Sequence, residues 1–172
     1  MIQADSNPNQ NLQITRIRQE VQSSVEELRG LIYGPFSQLP TEKLYQRPAE
    51  NEWTLMENIA HIIEFMPYWG NEISKLVKNP DQPFGRTMED PGRLRGISEH
   101  SHDTLPQTLA NLNSSYAHLD SVLQSLHDSD LAITGLHKKF GQRTLAWFIE
   151  EFVTRHLRAH LEQIQQCLAA IE

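Results

Sequence analysis

Apolar residues return at steps of three and four along four long stretches of this 172-residue chain, and that spacing constrains the fold more than any other feature. Such steps put side chains on one face of a helix. The first stretch, roughly 10–33, carries Ile14, Ile17, Val21, Val25, Leu28 and Ile32, and Gly34-Pro35 is expected to end it. The second opens at Thr54-Leu-Met-Glu57, a capping box in which the two side chains satisfy each other's free amides. Leu55, Ile59, Ile62, Met66, Trp69, Ile73 and Leu76 follow. Pro67 lies inside this run and predicts a kink rather than a stop, because the spacing continues through it. The third opens at Thr104-Leu-Pro-Gln107, a second capping box, with Leu105, Leu109, Leu112, Tyr116, Leu119, Leu123 and Leu126 as a heptad seam. The last runs from about Thr144 to Ala170 through Leu145, Phe148, Ile149, Phe152, His156, His160, Ile164 and Leu168.

Between them, 35–53 reads as a connector with one short turn at Thr41–Tyr45, and 128–143 as a polar linker. No segment reads as a strand. The chain is therefore expected to be all-α, a four-helix bundle. Residues 78–103, rich in Pro and Gly, read as a long loop. A helix of about 24 residues is about 36 Å long, and this loop can cross that length and return. The expectation is a crossover connection between helices two and three rather than a plain up-down-up-down bundle.

The length suits one domain, residues 1–172, with 1–9 flexible. Cys167 is the lone cysteine, so no intramolecular disulfide is available and a cytoplasmic location is favoured. The net charge of −7 argues against nucleic acid or an anionic membrane as partner. No apolar run approaches the ~18 residues of a membrane span. The first ten residues have neither a basic n-region nor an apolar h-region and do not read as a signal peptide.

Eight histidines are the candidates for chemistry. His156 and His160 stand four apart on one helix face and continue an apolar stripe instead of opposing it. Burying two imidazoles side by side is costly unless something satisfies both rings, as a metal ion does. The same HxxxH spacing is common on soluble helices that hold no metal, so spacing alone leaves both readings open. Leu157 stands where a metalloprotease HExxH motif needs its glutamate. The only Glu-x-x-His spacing, Glu99 to His102, lies in the Pro/Gly-rich loop, against a ferritin-like di-iron bundle. His61 sits on the flank of the second stripe and can reach a partner helix.

The stretch Trp53-Thr-Leu-Met-Glu-Asn-Ile-Ala-His61, then Gly135-Leu-His-Lys-Lys-Phe-Gly141, Thr144 and His156-Leu-Arg-Ala-His160-Leu-Glu-Gln163-Ile164, resemble in order and spacing the DinB/YfiT-like family. The resemblance spans almost the whole chain. It implies a DinB-like four-helix bundle with a crossed connection, and a divalent metal held by His61, His156 and His160. Many such proteins resemble mycothiol- and bacillithiol-dependent transferases or maleylpyruvate isomerase. The implied function is a metal-dependent transferase that adds a low-molecular-weight thiol to a small electrophile. A hydrolase or isomerase on the same metal, or a non-catalytic metal- or ligand-binding bundle, are the alternatives. Three histidines leave an open position that can activate a water or a thiol. Zinc and nickel both suit nitrogen ligands. Affinity is expected to fall as pH drops through about 6.5, where protons compete for imidazole.

Secondary expectations follow. Arg86, Arg93 and Arg95 either clamp carboxylates of a thiol cofactor or belong to a solvated loop, the latter favoured. Gln163 either orients a ligand ring or is a polar residue at the bundle end. His137 either approaches the metal or is a surface turn residue, the latter favoured, and His100, His102, His118 and His127 read as exposed. Cys167 reads as a small buried hydrophobe, and Trp53, Trp69 and Trp147 as core or interface. A small-molecule substrate is implied. A homodimer is expected, from apolar residues such as Leu12 and Leu31 off the main stripe and because family members often pair.

Overall fold

The computed structural model describes residues 11–171, so the expectation for 1–9 lies outside it. The four long stretches are α1 (Leu12–Leu31), α3 (Leu55–Lys78), α5 (Leu105–Gln124) and a final helix of α6 (Leu145–Ile149), a π turn (Glu150–Thr154) and α7 (Arg155–Ile171). The start of α3 is fixed as read. Glu57 N–H donates to Thr54 Oγ1 at 3.0 Å, and Thr54 N–H donates to Glu57 at 2.9 Å. Thr104 and Gln107 cap α5 in the same way. α3 runs through Pro67 unbroken. It is buried at Leu55, Met56, Asn58, Ile59, Ala60, His61, Ile62 and Ile63. A helix enclosed nearly all round is the centre of its fold.

Cross-helix contacts fix the directions. Arg18 pairs with Asp120, and Arg29 donates to Asn113, so α1 runs against α5. Arg158 reaches Glu20 and Gln165 donates to Glu27, so α1 and α7 run together. Ser115 Oγ donates to the Ile63 carbonyl, and His118 lies against Gly70, so α3 and α5 also run together. Cys167 meets the Trp53 carbonyl while His156 meets His61, so α7 opposes α3. The order is up-down-down-up, and residues 79–104 form the expected crossover.

Three connections differ from expectation. Gly34-Pro35 does not end the first helix; Pro35 is absorbed in a π turn, Ile32–Phe36, and helical backbone continues to residue 38. The crossover is not all loop, for it contains α4 (Pro91–His100), capped by Asp90 accepting from Gly92 and Arg93 N–H. Residues 128–143 are not a featureless linker. They hold a 3₁₀ turn (Asp128–Ala132) and a hairpin of β1 (Thr134–His137) and β2 (Gly141–Thr144). The short turn at Thr41–Leu44 is α2, as read. Leu12 is 59% exposed, but Leu31 packs against the core.

The hairpin anchors the crossover. Asp81 and Phe84 N–H donate to the Thr134 and Leu136 carbonyls, and Leu136 N–H donates to the Gln82 carbonyl. Gly85 follows at φ +78°, in the left-handed region. A Cβ there would lie 2.9 Å from Trp69 and 3.0 Å from His137, so only glycine lets the chain turn under these rings. The turn delivers Arg86 and α4 to the flank of α3.

Candidate metal centre

His61 projects from α3, two turns inside the Thr54 cap, and His156 and His160 project from α7 toward it. The π turn ends two residues before His156; such turns recur at functional sites. His156 Nε2 lies 3.0 Å from His160 Nε2 and 3.4 Å from His61 Nε2. One ligand atom from each ring falls within 4.8 Å of the others, a grouping that could hold a metal ion. Two tetrahedral nitrogen ligands at a zinc-like bond length of about 2.0–2.1 Å sit about 3.3 Å apart. The observed spacings bracket that value.

Neighbouring groups aim the nitrogens. Asn58 Nδ2 donates to the Thr54 carbonyl at 3.0 Å, which turns Asn58 Oδ1 toward His160 Nδ1, 3.2 Å away. His160 Nδ1 must then carry the proton, and its Nε2 lone pair faces the cluster. His61 Nδ1 lies 3.5 Å from Glu64 Oε2, beyond a normal hydrogen bond but close enough for the carboxylate to favour the proton on Nδ1. Its Nε2 lone pair therefore also faces inward. A proton on His156 Nε2 could serve only one of these two acceptors. The donor set thus fits a cation better than a proton. His61 Nδ1 and His156 Nδ1 are buried without a close partner.

Aromatic rings wall the cluster. Phe65 stacks on His156 with centroids 4.6 Å apart, and Trp53 lies parallel to His160 at 5.9 Å and edge-on to His61. Burial, with neighbouring rings and guanidinium groups adding to it, pushes His61 and His160 down to about 2. Burial pushes His156 down to about 4. The rings are neutral far below their ordinary value near 6.5. Proton competition in the folded protein therefore begins lower than the sequence suggested.

The arginines separate. Arg86 is no solvated loop residue. Its side chain, 8% exposed, bonds Glu64 at 2.6 Å and lies 3.8 Å above the Tyr68 ring. Glu64 is nevertheless raised, because burial outweighs the attraction of Arg86. Arg93 is half-buried, 5.3 Å over Trp53. Arg95 is exposed. A cleft of about 660 Å³ opens onto His156 and His160, lined among others by Trp53, Met88, Arg93 and Gln163. Cys167 is buried on its wall, with burial pushing the thiol up.

His137 corrects the sequence reading. It is 3% exposed, packed beside Phe152 and Phe140, and outside the metal grouping. His102, His118 and His127 are exposed as read, whereas His100 is half-buried against Asp103. Trp53, read as core or interface, is half-buried and lines the cleft. Asn58 and Glu64 were missed, although a signal existed: Asn58, His61 and Glu64 stand at steps of three in a stretch, 58–67, whose other residues are all apolar. Nothing in the local sequence marks Arg93 as a cleft residue, since its place depends on where the crossover lands.

The model of the DinB superfamily matches residues 13–164. No curated protein matches the sequence. An uncharacterized protein from Clostridium difficile 630 superposes with a TM-score of 0.64 at 15% identity, over 89% of this chain and 94% of that one. A mycothiol-dependent maleylpyruvate isomerase superposes with a TM-score of 0.63 at 11% identity, over 94% of this chain but 61% of that one. A histidine-to-alanine mutant of such an isomerase gives 0.62 at 12%. At these identities the likeness is one of fold, and this chain spans less than two thirds of the isomerase.

Proposed function

The chain belongs to the DinB superfamily, and from that premise we propose that it is a metal-dependent transferase joining a low-molecular-weight thiol to a small electrophile. The observation that carries the reading is the convergence of three imidazole Nε2 atoms beside an open cleft. His61, His156 and His160 hold a divalent ion, zinc or nickel, through Nε2. When bound, such an ion lowers the pKa of a coordinated thiol or water, so that a nucleophile exists near neutral pH.

The chain's own residues do the rest. Asn58 holds His160 in the tautomer that keeps Nε2 free, and Glu64, itself held by Arg86, does so for His61. Phe65 and Trp53 exclude water from the ring faces. The cleft admits the reactants on the His156 and His160 side, which favours a reactive site over one sealed by side chains. The thiol sulfur forms its bond to the electrophilic carbon, the leaving group departs with the bonding pair, and the thiol proton passes to solvent. No protein nucleophile competes, for Cys167 is buried and its thiol is pushed up.

The isomerase reading stays second, supported by the name of the fold relative. The protein acts as one domain in the cytoplasm and pairs as a homodimer through surface that includes exposed Leu12; light scattering giving a monomer mass at all concentrations would remove the dimer. The test of function incubates metal-loaded protein with bacillithiol, glutathione or cysteine and monochlorobimane, beside His156→Ala. Conjugation above the uncatalysed rate that disappears in the variant is expected. The uncatalysed rate with every thiol would overturn the transferase reading.

A further inference from the structure

Arg93 and Arg86 lie seven residues apart on the same crossover, and only one is neutralised. Arg86 has Glu64 at 2.6 Å and Asp90 at 3.7 Å. Arg93 has no carboxylate within 4 Å among the described residues; its guanidinium has one long contact, to the Met88 carbonyl at 3.5 Å. It is half-buried all the same; burial and the neighbouring Arg86 act against its charge, and Glu64, which is already paired with Arg86, offsets only part of that. An arginine stays protonated in proteins, and a desolvated charge without a counter-charge is costly. This one stands on the wall of the cleft that reaches His156 and His160, and its charge is felt by all three cluster histidines.

The wall restricts the partner. Trp53, which Arg93 overlies, offers a flat apolar face, and exposed Met88 extends it. No lysine lines the cleft, and its one acidic residue, Glu52, is exposed. The first amides of α4 are already taken by Asp90. One guanidinium with no supporting amides suits a single negative charge in a planar, two-oxygen group better than a dianion. The volume, about 660 Å³, is that of a small-molecule site.

We infer that Arg93 is the anchor for a carboxylate on the small molecule this cleft binds, with the flat or apolar body of that molecule on Trp53 and its other end toward the histidine cluster. This deepens the proposed function by naming a substrate class, small monocarboxylates, and it rests on that reading only for the chemistry done at the histidines. Arg93 sits in a binding role, since its reach to reacting atoms is not part of the geometry.

The probe is benzoate, with benzamide as its neutral isostere and inorganic phosphate as the competing anion. Binding to full-length protein is followed by calorimetry, first metal-free in chelator and then zinc-loaded. Benzoate should bind the metal-free protein, and benzamide at least about tenfold more weakly, the worth of one hydrogen-bonded charge. Arg93→Gln should remove that preference, and Arg93→Lys should restore part of it. Both variants should melt like the parent and hold as much zinc. Equal binding of benzoate and benzamide, an unchanged preference in Arg93→Gln, or phosphate binding tighter than benzoate would each overturn the inference. Loss of zinc binding by the parent would overturn the metal reading and leave the metal-free result to judge Arg93 alone.

Discussion

Two regions of this bundle bury histidine, and they do it in opposite ways. At the hairpin, His137 Nδ1 accepts from the backbone N–H of Lys139 at 3.0 Å and of Phe140 at 3.4 Å. Its ring completes an aromatic layer with Phe140, Phe148 and Phe152. Its acceptor is thus satisfied by the two residues that follow it on the turn. At the α3–α7 seam, Asn58 and Glu64 stand at the outer nitrogens of His160 and His61, His156 has no side-chain partner at its own, and the Nε2 atoms of the rings face one another. Burial alone therefore does not mark a ligand. The direction of the free lone pairs does.

The largest effect should come from removing a ring at each place. His61→Ala, His156→Ala and His160→Ala should each reduce metal from stoichiometric to background in tag-free protein, measured by elemental analysis. His137→Ala should keep the metal and lose stability, by about 2–3 kcal/mol on the scale of other buried large-to-small changes, read by denaturant melts. Stoichiometric metal in both His156→Ala and His160→Ala would erase the distinction between the two regions.

Acid should act on both regions in one direction, since burial lowers His137 as well, with the three-ring cluster contributing the larger share. The cluster pKa values are lowered in the folded state, to about 4 for His156 and about 2 for the other two, against 6.5 unfolded. Above 6.5 the rings are neutral in both states and contribute no slope. As pH falls below 6.5 the unfolded chain takes up protons that the folded one refuses, so metal-free stability is lost from there down toward the folded values. The slope is up to about 1.4 kcal/mol per pH unit for each proton. Denaturant midpoints from pH 7 to 4.5, in chelator, measure it, and replacing His156 with glutamine should make it shallower, with His61 and His160 still contributing. A flat profile in the parent would mean that the rings are solvated.

Smaller effects concern the residues that aim the rings. Asn58→Leu and Glu64→Gln should weaken metal affinity by about 10–100-fold, in competition with a chelating dye, with metal still stoichiometric at saturation. Unchanged affinity in both would show that the outer nitrogens do not matter. Least of all, Gly96→Ala should cost a few-fold in affinity and about 1–3 kcal/mol in stability, because a Cβ there would lie 2.2 Å from Glu64 Cγ. α4 would have to rise off α3 or move the carboxylate that faces His61.

The same contrast explains what could be read from the chain. α3 and α5 carry long apolar stripes and two capping boxes, signals that act within a few residues, and both helices stand where the pattern put them. The crossover followed from length arithmetic. α4 was missed because it offers little apolar period, with Ile97 its one buried apolar residue. The hairpin was missed because each strand has four residues and β2 buries none of its side chains fully. His61, His156 and His160 were named through ordered motifs that run across the chain. His137 was misplaced because its burial is created by Phe148 and Phe152 from the last helix. Arg86 meets Glu64, and Arg93 meets Trp53, only after the crossover docks on α3, and no local spacing encodes that event.

X-ray absorption of the zinc-loaded, tag-free protein reads the proposed three-imidazole centre and its open side on the cleft at the metal itself. Three imidazole nitrogens at about 2.0–2.1 Å are expected with a further light ligand, replaced by sulfur at about 2.3 Å when a low-molecular-weight thiol is added. Fewer imidazoles, or a fourth protein ligand and a spectrum that thiol leaves unchanged, would contradict the proposed centre.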